Sequence, residues 1–222
     1  MYDYVVIGGG IIGLNIARAL KEKDAGANIV VLEKETDVGM HSSGRNSGVL
    51  HAGFYYSADS LKAKFTKEGN ARLQTFCDER GLRINKCAKV VVAQNDDEVK
   101  GLEELKRRGD INGVALDWLS DEELDARYPH LKTTTKALFS PTTATIDPKE
   151  VTLEFKKYIQ EMGVEIMTDT AYVKRTDTHE IQTSKRILRF RKLINCAGLY
   201  ADKIAKDFGF AHKYVIIPFK GI

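Results

Sequence analysis

The N-terminal part of the chain shows three hydrophobic patterns in succession. Residues 2–7, YDYVVI, are a short apolar run rich in β-branched side chains, which predicts a buried strand. Apolar residues then recur at helical spacing from Ile12 to Leu20, and Gly26 ends this segment. Residues 28–32, NIVVL, predict a second buried strand. The pattern is that of a strand, a helix and a strand joined as a βαβ unit.

Helical and strand patterns alternate through the rest of the chain, without an internal repeat or a low-complexity linker. The predicted helices are 57–81, 95–109, 121–129, 148–163 and one within 196–209. The predicted strands are 88–93, 115–120, two short strands within 137–147, 164–168, a meander of short strands over 170–190, and 191–195.

Glycines occupy three spaced positions between the first strand and the first helix. Gly8 permits the tight turn, Gly10 lets the backbone approach a pyrophosphate, and Gly13 lets the helix pack closely on the strand. Glu33 ends the second strand, where its carboxylate can accept both ribose hydroxyls of an adenosine and repels a 2′-phosphate. A glycine turn beside a solvated glutamate is the alternative, but the register of all these parts favours dinucleotide binding.

The layout after the second strand distinguishes between dinucleotides. A nicotinamide-dependent enzyme usually continues with further βαβ units. This chain instead enters a polar loop after residue 33 and returns to the sheet pattern only near residue 164. The meander then precedes RKLINCAGLYAD. This order favours FAD.

Composition narrows the class of protein. Hydrophobic residues make up 43% and charged residues 29%, and the net charge of +3 does not by itself indicate nucleic acid or membrane. Cys77, Cys87 and Cys196 include no CxxC pair, so we expect no metal site or disulfide framework and a reducing compartment. The N-terminus lacks a signal-peptide pattern, and no apolar run approaches the roughly 18 residues of a membrane span. We expect a cytoplasmic protein, with peripheral contact at the inner face of the membrane left open.

The basic run TSKRILRFRK lies in the predicted meander. Its charge suits RNA or anionic lipid, but such a run is more often the solvated face of a hairpin. We therefore expect no nucleic-acid partner.

Residues 41–56, HSSGRNSGVLHAGFYY, fit neither a helix nor a strand pattern. With VVIGGGIIG, LEKE, IDP, LINCAG and IPFKG in that order, this stretch resembles the superfamily of FAD-dependent D-amino-acid oxidases and glycerol-3-phosphate dehydrogenases. Within that superfamily, residues 41–56, the following SLKAKFTKEG and the later KVVVA are most similar to L-2-hydroxyglutarate oxidases and dehydrogenases. The similarity runs through the whole chain, and residues 41–69 are its most specific part.

The resemblance implies an α/β fold, with a Rossmann-like FAD-binding domain that carries a three-stranded β-meander, plus a partial α+β substrate domain. Members of the family extend to roughly twice this span, so we expect these 222 residues to be an N-terminal portion that lacks the C-terminal half. The expected FAD-binding domain comprises 1–82 and 148–210, the first part of the substrate domain is 83–147, and its second part begins in 211–222.

The resemblance also implies a cofactor site. The polar run after the second strand matches family residues that contact the cofactor, although Arg45 could instead form a structural ion pair. Ala197 and Gly198 match a turn that lies against the adenosine and pyrophosphate, and the backbone of Val173 matches an adenine contact, with a core role as the alternative. Cys196 is expected to be buried and inert. The complete predicted cofactor set is Gly8, Gly10, Ile12, Gly13, Glu33, Lys34, His41, Ser42, Ser43, Arg45, Asn46, Ser47, Val173, Ala197 and Gly198.

The predicted catalytic residue is His51. Oxidation of a 2-hydroxy acid removes the hydroxyl proton and transfers a hydride to the flavin, and a neutral imidazole suits the proton step. The alternative is that His51 only hydrogen-bonds the flavin or lines the wall, while His41 is predicted to be a loop residue or cofactor contact. Tyr55 and Tyr56 are predicted to line the substrate pocket or to belong to the core. Lys220 stands where the family often has arginine and is placed to attract a substrate carboxylate.

The predicted activity is FAD-dependent oxidation of L-2-hydroxyglutarate to 2-oxoglutarate, with electrons passed to oxygen or to a membrane quinone. Its alternatives are a related glycerol-3-phosphate or amino-acid oxidase and a catalytically incomplete dinucleotide-binding fragment. An RNA-modifying flavoprotein is suggested only by the basic run. The substrate is a small 2-hydroxy acid, no metal is expected, and the oligomeric state is not predicted by the sequence.

Overall fold

A computed structural model describes residues 1–219 of the chain. No helix among these residues combines the length and the apolar character needed to cross a membrane. The elements in chain order are β1 (Tyr2–Ile7), α1 (Ile11–Lys23), β2 (Ile29–Leu32), β3 (Val49–Leu50), α2 (Leu61–Glu79), β4 (Ile84–Asn85), β5 (Lys89–Val91), α3 (Asp96–Ile111), β6 (Asp117–Ser120), α4 (Asp121–Arg127), β7 (Lys136–Ser140), β8 (Ala144–Ile146), α5 (Pro148–Glu161), β9 (Glu165–Met167), β10 (Tyr172–Asp177), β11 (Glu180–Thr183), β12 (Ile187–Asn195), a 3₁₀ turn (Gly198–Tyr200) and α6 (Ala201–Asp207).

The chain divides into two compact units. Unit 1 comprises Met1–Asn46 and Pro148–Ile222, and unit 2 comprises Ser47–Asp147. The sequence analysis placed residues 1–82 together, whereas the structure places α2 in unit 2. The reason lies in the packing of that helix: the buried side chain of Asn70 donates hydrogen bonds to main-chain carbonyls elsewhere in unit 2.

A six-stranded mixed sheet forms the centre of unit 1. Its strand order is β10-β11-β12-β1-β2-β9, and β1 pairs in parallel with both β2 and β12. Val5, Ile7, Val30 and Leu32 are buried in its core, as expected for parallel strands covered on both faces. Helix α1 packs beside β2 and against α5. The predicted βαβ unit and α/β class are confirmed.

The predicted three-stranded meander is confirmed as the antiparallel strands β10, β11 and β12, but β12 continues to Asn195 and includes the strand predicted separately over 191–195. Along β12 the buried Leu188 and Phe190 alternate with the exposed Arg189 and Arg191. This period of two explains much of the basic run, because Leu188 and Phe190 face the core while the arginines between and after them, and also Ile187, are exposed. Arg189 pairs with Glu180 and Arg191 pairs with Asp3, so these two basic side chains already have acidic partners.

Two three-stranded sheets, β3-β8-β4 and β5-β7-β6, form unit 2. The sequence predicted two short strands within 137–147, and both form as β7 and β8. They pair with different sheets rather than with each other. The largest core cluster of this unit includes Phe54, Leu102 and Leu138.

Two short strands and the C-terminal segment differ from the sequence predictions. Strands β3 and β4 were not predicted, because two residues are too few to show a period. The second part of the α+β substrate domain was expected to begin in 211–222, and the described residues 211–219 contain only turns and irregular backbone. Apolar side chains in this segment are exposed, among them Tyr214 and Ile217.

Candidate cofactor site and the His51 segment

The glycine turn between β1 and α1 is closed by contacts with the chain itself. Gly8 has a φ of +112°, and a Cβ placed there would overlap the carbonyl oxygen of Cys196. A Cβ on Gly13 would overlap the carbonyl oxygen of Gly8. Both glycines are therefore required by backbone packing, whatever lies above the turn. The third, Gly10, differs: a Cβ there would meet only Ser43 Oγ, at 3.0 Å.

Helix α1 presents main-chain donors at its start. It begins after Gly10 without a side-chain cap from that residue and has no acidic residue in its first turn. The amide of Ile11 donates to Ser43 Oγ at 2.9 Å. Within residues 1–219, the amides of Ile12 and Gly13 have no hydrogen-bond acceptor. Unpaired amides at a helix N-terminus favour an anion, so this turn fits the pyrophosphate of FAD.

Glu33 lies at the end of β2, where the sequence places an acid. It is 8% exposed, and its Oε2 accepts from the amide of Gly9 at 2.8 Å. Its Oε1 accepts from the amide of Glu35 at 3.0 Å. Each carboxylate oxygen retains a second acceptor site. Glu33 thus ties β2 to the glycine turn, and its contact with ribose stays a prediction.

Lys34 and His41 meet at the carboxylate of Glu35. His41 Nε2 lies 2.9 Å from Glu35 Oε1 and 3.0 Å from Lys34 Nζ, while Lys34 also forms an ion pair with Glu35. Hydrogen bonding from Lys34, and secondly from His41, lowers the pKa of the Glu35 carboxyl. Lys34 Nζ lies 5.3 Å from the centre of the Tyr200 ring. This exposed cluster anchors His41 to the residues that follow β2.

The serine-rich loop after His41 is held mainly by its own groups. The side-chain amide of Asn46 donates to the carbonyls of Ser42 and Ser43, at 3.0 and 3.1 Å. Arg45 is exposed and has no carboxylate partner among residues 1–219, so the structural ion pair considered for it is absent from the part of the chain described. Ser47 is exposed and begins unit 2.

The NCAG turn follows β12. The amide of Cys196 donates to the carbonyl of Ile7, and the amide of Ala197 donates to Asn195 Oδ1 at 3.2 Å. Gly198 has a φ of +54°, which an L side chain rarely adopts. Cys196 is partly buried rather than fully buried as expected, and burial raises the pKa of its thiol.

The remaining predicted cofactor residues of unit 1 have different surroundings. Ile12 is 64% exposed, and Val173 is 52% exposed, so the core role considered for Val173 is wrong. The structure brings Gly8, Gly10, Gly13, Glu33, Ser43 and Ala197 into contact with one another or with the same turn.

His51 lies in unit 2, in an irregular segment after β3. The residue is exposed overall, but enough atoms surround the imidazole for burial to lower its pKa, and the positive charge of Lys89 lowers that pKa further. Both effects favour the neutral imidazole at pH 7, which is the form that can accept a proton.

Side chains from two helices hold the backbone of this segment. Asn70 of α2 donates to the carbonyls of Leu50 at 2.8 Å and His51 at 3.3 Å, and also to Thr142 at 3.2 Å. Arg108 of α3 donates to the carbonyl of Tyr55, and Asn112, which caps the C-terminal end of α3, donates to those of Gly53 and Tyr56. The sequence analysis missed these residues because a polar side chain that binds a distant main chain leaves no local pattern.

Tyr55 and Tyr56 each lie beside a lysine. Lys89 Nζ is 4.6 Å from the centre of the Tyr55 ring, and Lys62 Nζ is 4.4 Å from that of Tyr56. Both tyrosines are partly buried, and the Tyr55 ring contacts Phe54 of the core. The sequence analysis did not identify Lys89 as a site residue, although a charged residue at the head of the apolar run KVVVA was an available signal.

Two further predictions concern a metal and Lys220. The described residues contain no group of three or more His, Cys, Asp or Glu side chains arranged to hold a metal ion. Lys220 lies outside the residues that the structure describes. Its predicted substrate contact stays a prediction.

Comparison with known sequences supports the resemblance. The family model described as FAD dependent oxidoreductase matches residues 3–222. An L-2-hydroxyglutarate dehydrogenase of Escherichia coli K12 is 38% identical over 229 residues, which cover 100% of this chain and 53% of that protein. The human mitochondrial L-2-hydroxyglutarate dehydrogenase is 34% identical over 236 residues, covering 99% of this chain and 51% of that protein. The chain thus spans about half the length of these relatives.

Solved structures share the fold. The L-α-glycerophosphate oxidase of Mycoplasma pneumoniae, determined with FAD bound, matches with a TM-score of 0.83 and 27% identity over 93% of this chain and 56% of that one. Glycine oxidase from Geobacillus kaustophilus matches with a TM-score of 0.83 and 19% identity over 95% of this chain and 59% of that one, which shows the fold alone. With the dinucleotide turn, the meander and the match over residues 3–222, the chain belongs to the FAD-dependent oxidoreductase family.

Proposed function

We propose that the protein oxidises L-2-hydroxyglutarate to 2-oxoglutarate with FAD as its cofactor. The observation that carries this proposal is the similarity, along the whole chain, to relatives named L-2-hydroxyglutarate dehydrogenase. The free amides of α1 and the glycine turn support the cofactor part of the proposal. The activity is proposed for the whole protein, since the chain spans about half the length of those relatives.

The residues of unit 1 have the donors that the cofactor needs. The amides of Ile12 and Gly13 would bind the pyrophosphate, Glu33 would accept from the ribose, and Arg45 would add a positive charge near the phosphates. FAD, when bound, supplies the hydride acceptor. The remaining predicted cofactor residues, from Lys34 to Ser47 and at Val173, Ala197 and Gly198, would line the same ligand.

His51 would accept the proton of the substrate hydroxyl. In the overall reaction the C2–H bond yields a hydride, the O–H bond yields a proton, and a C=O bond forms. A neutral imidazole receives that proton without first losing one of its own. The alternative for His51 is a wall position beside the substrate or cofactor, and a substitution argued in the Discussion decides between these roles.

A substrate panel tests the proposed function. The flavin-loaded protein is mixed anaerobically with L-2-hydroxyglutarate, its D enantiomer, glycerol 3-phosphate or L-glutamate, and loss of oxidised flavin absorbance is followed. We expect fast bleaching by L-2-hydroxyglutarate alone. Faster bleaching by glycerol 3-phosphate or by L-glutamate would contradict this proposal and would indicate a related oxidase instead. A glycerophosphate oxidase is among the solved structures that share the fold. No bleaching by any of the four would contradict the proposal.

The electron acceptor is tested on the same reduced protein. We propose that it passes electrons to oxygen or to a quinone. Mixing the reduced protein with oxygenated buffer, or anaerobically with a short-chain quinone, compares the two rates directly. Quinone reoxidation in vesicles but not in solution would support peripheral contact with a membrane.

A further inference from the structure

Lys89 is a partly buried cation without an acidic partner among residues 1–219. Other lysines of unit 2 do have such partners: Lys86 pairs with Asp78 at 3.0 Å, and Lys136 pairs with Glu103 at 2.8 Å. Withdrawing an ammonium group from water is unfavourable unless an opposite charge or hydrogen-bond acceptor compensates. The position of Lys89 is therefore one where an added anion would be stabilising.

The neighbours of Lys89 include two residues already described. Its Nζ lies 4.6 Å from the centre of the Tyr55 ring. Its positive charge also lowers the pKa of His51. The preceding residue, Ala88, has a φ of +58°, a strained conformation for a residue with a side chain. A lysine, an aromatic ring and a histidine thus share one part of unit 2.

We propose that Lys89 binds a carboxylate of the substrate, beside His51 and Tyr55. This inference rests on the proposed function, because L-2-hydroxyglutarate carries two carboxylates and is a dianion at pH 7. An ammonium offers a compact charge and three donors, which suits a carboxylate oxygen in any of several orientations. The face of the Tyr55 ring, over which Lys89 Nζ lies, would exclude water from one side of the contact.

Binding of a carboxylate to Lys89 would also change the pKa of His51, the proposed base. Burial, and secondly the positive charge of Lys89, holds the pKa of His51 below its usual range. An anion on Lys89 offsets part of that positive field, so the basicity of His51 rises when substrate is present. Substrate binding and proton acceptance are thereby linked through one lysine.

The first test compares two matched variants of the flavin-loaded protein. Lys89→Met removes the charge and keeps an unbranched side chain, and Lys62→Met makes the same change at an exposed lysine that also lies on a tyrosine ring. We expect Lys89→Met to raise the KM for L-2-hydroxyglutarate roughly ten- to hundredfold, the usual effect of losing a charge-assisted hydrogen bond. Lys62→Met should change it less than about twofold. An equal effect of both variants, or none of Lys89→Met, overturns the inference.

A one-carboxylate substrate shows which carboxylate is bound. L-2-hydroxyvalerate keeps the reacting end of the substrate and lacks the distant carboxylate. If Lys89 binds the distant group, Lys89→Met raises the KM for L-2-hydroxyglutarate far more than the KM for hydroxyvalerate. If Lys89 binds the carboxylate next to the hydroxyl, both substrates lose affinity in that variant.

A second readout does not depend on turnover. The ring resonances of His51, assigned by their loss in His51→Gln, are titrated with pH in the presence and absence of glutarate. Glutarate should raise the pKa of His51 in the wild-type protein and leave it unchanged in Lys89→Met. An equal glutarate response in both proteins would overturn the inference. Should the wild-type protein fail to oxidise L-2-hydroxyglutarate, the proposed function fails, while the glutarate response still decides the role of Lys89.

Discussion

The three glycines of the turn, Gly8, Gly10 and Gly13, have different roles, which their spacing in the sequence does not reveal. The sequence correctly marked all three glycines, because their spacing between a strand and a helix is informative. Gly8 and Gly13 face carbonyl oxygens of Cys196 and Gly8 at close range, whereas Gly10 faces only the hydroxyl of Ser43. Only atomic packing separates these cases. The structure therefore divides the motif into two glycines needed for folding and one left open to a ligand.

Alanine substitutions test this division. Gly13→Ala should lower the free energy of unfolding by about 1–3 kcal/mol, because its Cβ overpacks against a backbone that cannot easily move. Gly10→Ala should change stability far less, since the hydroxyl of Ser43 can shift by a few tenths of an ångström. The amount of FAD that the Gly10→Ala variant binds should nevertheless fall. Urea unfolding and flavin content after gel filtration measure the two effects. Full FAD retention in Gly10→Ala would count against a phosphate contact at that glycine.

His51→Ala tests the role of the base. We expect flavin reduction by L-2-hydroxyglutarate to slow by about a hundred- to ten-thousandfold, the usual range for a general base. His41→Ala is the matched control and should cost much less, because His41 contacts Glu35 rather than the His51 segment. The His51→Ala variant should keep its bound flavin. If the His51→Ala protein is reduced as fast as wild type, His51 is not the base and only lines the site.

The pH dependence of flavin reduction follows from the lowered pKa of His51. Lowering the pKa keeps the imidazole neutral, and therefore active, to a more acidic pH than usual. The rate should hold steady through neutrality and fall as the pH drops through the pKa, which should lie below the ordinary value of about 6.5. Anaerobic stopped-flow rates across pH provide the measurement. The lowered pKa belongs to the protein without bound substrate, so a fall centred above 6.5 at substrate concentrations well below KM would contradict it.

Among the secondary-structure elements, α2 and α3 carry side chains that hold the backbone around His51, a role that their sequence patterns did not indicate. Their helical patterns predicted their positions well, and the alternation along β12 predicted a strand with one buried face. The pairing of β7 and β8 with separate sheets could not be predicted, since pairing depends on distant partners rather than on the local pattern. The same holds for Asn70, whose partners lie as many as 72 positions away along the chain.

Asn70→Ala should loosen the segment that carries His51. The carbonyl of Leu50 would lose its amide donor in a buried place, at a cost of about 1–3 kcal/mol in the free energy of unfolding. Asn95→Ala is the control, because it removes the N-cap of α3 in the same unit and should cost roughly 1 kcal/mol. Hydrogen exchange of residues 50–53 should accelerate in Asn70→Ala only. Equal exchange in the two variants would show that Asn70 contributes to stability without holding this segment.

At the scale of the whole molecule, unit 2 is an insertion between two stretches of unit 1. The sequence correctly predicted that the sheet resumes near residue 164, because a strand pattern returns there. It set the first boundary at residue 82 rather than at 46, since the helical pattern of α2 carries no sign of which unit the helix packs in. In unit 1, Gly44 lies close to Lys149, so the two ends that flank the insertion are neighbours.

Unit 1 should therefore fold without the insertion. Residues 47–147 are deleted, and Asn46 is joined to Pro148 through a short glycine linker. We expect a single cooperative thermal transition, because the six-stranded sheet and its core lie wholly in unit 1. Gly13→Ala should destabilise this shortened protein by about 1–3 kcal/mol, as in the parent chain. A broad transition that is insensitive to Gly13→Ala would mean that unit 1 depends on unit 2.

The pairing of β1 with β12 has a consequence for synthesis on the ribosome. One edge of β1 can pair with β2 early, but its other edge must wait for residues 187–195. At ordinary translation speeds this delay lasts roughly ten to thirty seconds. Residues 47–147 are all translated within that interval, so the inserted unit can fold while the surrounding one is still half built. The first strand to be made is thus completed only after residue 187 has been translated, and until then its apolar edge stays available to chaperones, or to a second nascent chain.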